Sequence, residues 1–148
     1  MKISEVTGDK KRYLSLLLCA DEQENMIDRY LDNGTMYILT DGGAVRGECV
    51  VTDEGDGVLE IKNIAIEPES RGKGYGKALI DFIGERYERR YRILQVGTGD
   101  SKATVPFYER CGFHRSHMIK NFFTDNYDHP IYEGGVQLIH MVYLRRKL

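Results

Sequence analysis

Apolar and polar side chains alternate along Lys2-Ile3-Ser4-Glu5-Val6, the two-residue period of a half-buried strand. The pattern then changes. Leu14, Leu16, Leu17 and Leu18 form an apolar helical patch, and Met26, Ile27, Tyr30 and Leu31 follow at helical spacing, with Asn33-Gly34 as a stop. Met36-Tyr37-Ile38-Leu39 reads as a strand, Asp41-Gly42-Gly43 as a tight turn, and Ala44 to Thr52 as its antiparallel partner. After the polar turn Asp53 to Gly57, a strand runs from Val58 to Ile66, apolar at Val58, Ile64 and Ile66 but interrupted by Glu60, Lys62 and Asn63. Glu67-Pro68 stops it.

Helical spacing resumes after Gly76, where Leu79, Phe82, Ile83 and Tyr87 share one face and Lys77, Asp81 and Glu85 face away. Ile93, Leu94 and Val96 predict another strand, broken from Gly97 to Asp100. A short helix then carries Pro106 in its first turn and ends at Gly112. Two last strands, Phe113 to Ile119 and Val136 to Leu144, flank a long aromatic and acidic loop from Asn121 to Gly135. Antiparallel strands followed by strand–helix–strand–helix imply an α/β (α+β) fold with a mixed, mostly antiparallel central sheet flanked by helices.

Length and composition narrow the class. A chain of 148 residues, 41% hydrophobic and 30% charged, suits one globular domain spanning residues 1–148. A formal net charge of −2 argues against nucleic acid or an anionic membrane as partner. The opening segment lacks an apolar signal region, so a soluble cytoplasmic protein is expected. Cys19, Cys49 and Cys111 show no metal or redox spacing and are expected to be reduced and mostly buried. The four histidines lack metal spacing too, and no metal is expected.

The segment Arg71-Gly72-Lys73-Gly74-Tyr75-Gly76 sits between a strand end and a helix start. Glycines let a ligand approach the backbone, the helix N-terminus offers unpaired N–H groups, and Arg71, Lys73 and Lys77 add positive charge. That suits a phosphate, although a purely structural turn would look alike. The run lacks the GK[ST] ending of a P-loop, and its GxGxG spacing is not the dinucleotide GxGxxG.

Strand, R-G-K-G-Y-G, helix, strand, then Phe107-Tyr108-Glu109-Arg110-Cys111-Gly112-Phe113 resembles the GNAT superfamily of N-acetyltransferases over nearly the whole chain. Residues 71–76 match that family's [QR]-x-x-G-x-[GA] acetyl-CoA motif. The resemblance implies acetyl-CoA as cosubstrate, its pyrophosphate on the amides of Gly72 to Gly76 and its pantetheine arm paired with Ile64, Ala65 and Ile66. Ser101 falls where many relatives carry an asparagine that contacts pantetheine; its shorter side chain departs from that pattern.

Acetyl transfer to an amine needs a neutral nucleophile, and with a pKa near ~10.4 only about one alkylamine in a few thousand is neutral at pH 7. The resemblance makes Glu60, six residues before Ile66, the candidate base and Tyr108 the candidate acid for the leaving thiolate. The residues alone leave Glu60 equally readable as a solvent-facing strand carboxylate and Tyr108 as core packing. The amide of Ile66 is expected to polarise the thioester carbonyl.

The acceptor implied is the primary amine of a small molecule or peptide. Asp125, Asp128 and Glu133, with the loop aromatics, suit a cation. Asp21, Glu22, Glu24 and Asp28 read first as a solvated charged surface. Homodimerisation through the C-terminal strands is compatible with the sequence, and the competing reading is a non-catalytic acyl-CoA-binding sensor of the same fold.

Overall fold

Turn length sets the first half of the sheet. In the computed structural model, which describes Met1–Leu148, β1 (Lys2–Val6) is followed by two short helices, α1 (Leu14–Ala20) and α2 (Glu24–Ile27). Strands β2 (Thr35–Asp41), β3 (Ala44–Asp53) and β4 (Val58–Ile66) then form an antiparallel meander joined by tight turns. The crossover from β4 through α3 (Tyr75–Tyr87) returns the chain parallel to β4 as β5 (Ile93–Gly99). The chain continues through α4 (Val105–Arg110), β6 (His114–Ile119), α5 (Phe122–Asn126), a hairpin of β7 (Tyr132–Glu133) and β8 (Val136–Gln137), and β9 (Met141–Lys147). The seven-stranded sheet has the order β1-β2-β3-β4-β5-β9-β6, and β4–β5 is its one parallel pair.

Each face of the sheet has its own core. Helix α3 buries Leu79, Ile80, Ile83 and Tyr87 against Leu39, Cys49, Leu59, Ile61, Leu94 and Val96. Each such aliphatic side chain contributes about 1.5–3 kcal/mol on leaving water. On the other face, Leu17 of α1 and Ile27 of α2 pack on Val6, Met36 and Val50. Cys49 and Cys111 are buried, Cys19 is exposed, and all three are free thiols. No helix is long and apolar enough to cross a membrane.

Two expectations from the sequence need correcting. Strand β5 does not break at Gly97; it stays paired with β9 as far as Gly99↔Met141. The glycine there answers to crowding, since a Cβ on Gly97 would sit 2.7 Å from Met141 Sδ. Nor is Val136 to Leu144 one strand. Leu138 donates its amide to the Ile131 carbonyl and packs with Phe123 and Ile131 in a small separate core, which lifts the chain off the sheet until Met141. The loop between the last strands therefore holds a helix and a hairpin.

Candidate active site

One surplus residue organises the centre of the sheet. Val50 pairs with Asn63 but Val51 pairs with Ile61, so Lys62 is a bulge in β4. Before the bulge, Leu59 and Ile61 face α3 and Glu60 faces the other way. After it the alternation has shifted: Asn63 faces α1, donating from Nδ2 to Leu17 O at 3.1 Å, while Ile64 and Ile66 pack toward the α3 core. The polar interruptions at Glu60, Lys62 and Asn63 are this bulge read along the chain.

Strands β4 and β5 part at the same place. Their pairing runs from Val58↔Ile93 to Ile61↔Val96 and stops, while β4 continues to Ile66. Glu67 N–H donates to Arg46 O across to β3 at 2.8 Å, so by strand alternation the amides of Ile64 and Ile66 point into the gap and that of Ala65 toward β3. Of the three residues expected to pair with pantetheine, two thus offer amides to the gap. Arg71 Nε donates to Ile66 O at 3.3 Å, placing its guanidinium at the mouth of the gap.

The turn from β4 into α3 lies beside this opening. Gly72 and Gly74 have φ of 79° and 86°, and a side chain at either would meet open space, so the two glycines serve backbone direction. Gly74 is the residue before the first turn of α3, which has no side-chain cap, and leaves the helix's leading amides uncovered. Gly76 serves proximity: a Cβ there would lie 3.0 Å from the Phe107 ring, so α3 and α4 touch at this point. Lys73 is exposed, Lys77 bends along its helix to Asp81 at 2.6 Å, and the Tyr75 hydroxyl donates to Asp41 at 2.6 Å. Ser101 sits in the turn that leads into α4, where its Oγ accepts the Ala103 amide at 3.0 Å and lies beside Glu133. An extended gap with inward amides, ending at an uncapped helix start, fits a long thin ligand with a phosphate at one end.

Glu60 is buried, at 4% exposure, which removes the solvent-facing alternative. It lines a cavity of ≈ 450 Å³ on the α1 side of the sheet, together with Asp21, Tyr30, Lys62, Phe122, Tyr127 and Tyr143. Its Oε2 pairs with Lys62 Nζ at 2.9 Å and its Oε1 accepts from Gln95 Nε2 at 2.6 Å.

Tyr108 lies on the opposite face, in the α3 core, edge-on to Phe107 and Phe113 at 5.2 and 5.8 Å between ring centroids. Burial pushes its hydroxyl pKa well above the usual phenol range, with Cys49 adding to the shift. Glu60 and Tyr108 therefore do not share one pocket; they lie on opposite faces of the sheet.

Sequence reasoning missed three features. Asp21 lines the cavity, whereas Glu24 and Asp28 form the surface ion pairs expected of the cluster, with Lys11 at 2.7 and 2.6 Å. Helix α5 and its following turn strap over the cavity: Tyr127 donates to Asp21 at 2.7 Å, the Asp128 amide to Gln23 at 3.0 Å, and His129 bridges Asp128 and Glu22. The third is Glu48 of β3, fully buried with neither carboxylate oxygen hydrogen-bonded; desolvation drives its pKa well above the usual carboxylate range.

Comparison with known proteins gives a consistent picture. A family model described as an acetyltransferase (GNAT) domain matches residues 32–115. The chain is 32% identical over 146 residues to the uncharacterized N-acetyltransferase YvbK of Bacillus subtilis, covering 97% of this chain and 93% of that one. Among solved structures, it is similar to a GNAT family acetyltransferase from Elizabethkingia anophelis with acetyl-CoA bound, with a TM-score of 0.93 and 32% identity over 99% of this chain and 97% of that one. An IAA acetyltransferase from Bacillus cereus superposes equally well, at a TM-score of 0.93 and 32% identity, with 99% of both chains covered.

Proposed function

This chain belongs to the GNAT family of N-acetyltransferases, and we propose that it moves an acetyl group from acetyl-CoA directly to the primary amine of a small molecule or peptide. The observation that carries the reading is the parting of β4 from β5, with the amides of Ile64 and Ile66 turned into it and a buried carboxylate, Glu60, on the adjoining cavity wall. Acetyl-CoA would supply the thioester to be aminolysed. Gly72 to Gly76, with Arg71, Lys73 and Lys77 nearby, would hold its pyrophosphate; the Ile64–Ile66 edge and Ser101 would hold its pantetheine arm.

The chain's own groups then divide the proton work. Glu60 takes a proton from the incoming ammonium, directly or through water, so that the neutral nitrogen forms the new C–N bond. The Ile66 amide, which faces the gap, would polarise the thioester carbonyl as charge develops on its oxygen. As the C–S bond breaks, the Tyr108 hydroxyl gives its proton to the departing sulfur, and the second proton shed by the nitrogen as it becomes an amide restores the phenol, leaving the one on Glu60 to return to solvent. A phenol is protonated throughout the neutral range, which supports a donor role.

Two further proposals accompany it. The exposed edge strand β6, with Met118 and Ile119 uncovered, supports homodimerisation through the C-terminal strands, which light scattering on the eluting protein tests. The three free thiols support a cytoplasmic location, which cell fractionation tests.

The reaction itself is tested by thiol release from acetyl-CoA across a panel of primary amines, with the N-acetyl product identified by mass. Saturable acetyl-CoA binding with transfer is the expected result. Binding without transfer to any amine favours the sensor alternative, and no binding at all removes both readings.

A further inference from the structure

The carboxylates around the cavity are not equivalent. Glu60 and Glu54 both lean on Lys62, at 2.9 and 3.9 Å. Asp53 is exposed at the rim, where its oxygens take the Gly55 amide and the Tyr91 hydroxyl. Asp21 is partly buried and is held by two phenols: Tyr30 donates to Oδ2 at 3.0 Å and Tyr127 to Oδ1 at 2.7 Å. The direction of the first bond is fixed, because Asn63 Nδ2 donates to the Tyr30 oxygen at 3.0 Å and leaves its proton for Asp21.

Desolvation pushes the Asp21 pKa up, and the two hydroxyls pull it back. A carboxylate withdrawn from water gains most from a positive partner that shares its pocket. Arg29, which lines the cavity, is exposed at the mouth and spends its Nη1 on Asn126 at 3.3 Å. The walls next to Asp21 are the rings of Tyr30, Phe122 and Tyr127, whose faces attract an ammonium.

We propose that the acceptor carries two amino groups: one is acetylated at Glu60, while the second, protonated, is held by Asp21 between Tyr30 and Tyr127. Asp21 is then the specificity-determining residue, and straight-chain diamines or polyamines are the acceptor class. This inference rests on the amine-acetylation reading and deepens it. The strap is part of the recognition, since Tyr127 reaches Asp21 only when α5 lies across the cavity.

The test compares straight-chain α,ω-diamines of increasing length with the monoamine of the same length, by kcat/KM at fixed acetyl-CoA. A charge-assisted contact predicts a preference of about tenfold or more for the best-fitting diamine. Asp21→Asn brings that ratio close to one, mainly through KM, and Tyr127→Phe brings it part way. Calorimetry of the same diamine without acetyl-CoA shows saturable binding to the wild type and loss of it in Asp21→Asn. A wild-type ratio near one, or a ratio that survives both substitutions, overturns the proposal while leaving amine acetylation standing. If no amine is acetylated, calorimetry alone still decides whether Asp21 holds a diamine.

Discussion

Gln95 Nε2 donates to Glu60 Oε1 at 2.6 Å across the parallel pair of β4 and β5, one rung before the strands separate. Arg145 Nε donates to Gln95 Oε1 at 2.7 Å from β9. An arginine can only donate, so it fixes which end of the Gln95 amide meets Glu60. The proposed base is thus aimed by a relay through three neighbouring strands.

Gln95→Leu removes the aim and keeps the carboxylate. Losing a hydrogen bond to a charged group costs about 1.5–3 kcal/mol, so kcat is expected to fall about tenfold or more while acetyl-CoA affinity holds. Glu60→Gln removes the base itself, and a fall of about 10²–10⁴ in kcat with loss of the acidic limb of the pH–rate profile is expected. A profile unchanged in Glu60→Gln would return the residue to a structural role.

Tyr108→Phe keeps the edge-on packing with Phe107 and Phe113 and deletes only the hydroxyl. Turnover should drop by about 10²-fold or more, with calorimetric acetyl-CoA affinity close to the wild-type value. Equal losses in both, or none in either, would withdraw the acid assignment.

Glu48 makes a prediction about stability. Its pKa in the fold is raised by burial, so the folded chain keeps a proton that the unfolded chain releases above the ordinary carboxylate range. Stability is therefore undiminished at acid pH and falls as pH rises toward the folded-state pKa, by about 1.4 kcal/mol per pH unit. Glu48→Gln removes the slope: its melting temperature should exceed the wild type's at neutral pH, with the gap closing toward pH 4. A gap independent of pH would show that Glu48 is not neutral in the fold.

His129 acts in a different range. Its pKa is raised by hydrogen bonds to Asp128 and Glu22, the two groups that face it. The imidazolium clasp is complete below the ordinary histidine pKa and is lost as pH rises through the raised value. Hydrogen exchange of residues 122–129, corrected for the intrinsic base-catalysed rate, should quicken across that interval. In His129→Gln the corrected rate should be faster and flat with pH.

Most of the scaffold was legible because periodicity reports burial. The meander, the strand Val58 to Ile66 and the buried face of α3 follow from alternation and helical spacing, and the glycine turn from its position between strand and helix. What the pattern hid were long-range choices. A glycine under Met141 looks like a strand break when only its neighbours in sequence are visible. Asp21 looks like Glu24 until Tyr127, far along the chain, reaches back to it. Glu60 could not be told from an exposed strand carboxylate without Lys62 doubling back and Gln95 arriving from the next strand.

The surplus residue at Lys62 ties two jobs to one joint. Upstream of it the strand presents an acid to one compartment; downstream it hands main-chain donors to another. Straightening the joint, with Lys62 taken into the ladder opposite Val50, would rotate everything beyond it by half a turn, sending Asn63 into the α3 core and reversing the amides of Ile64 and Ile66. The cavity wall at Glu60 and the gap beyond Ile64 are therefore geared together: the strap and the helices can be reshaped one at a time, but a straightened β4 would disturb both sides of the sheet at once.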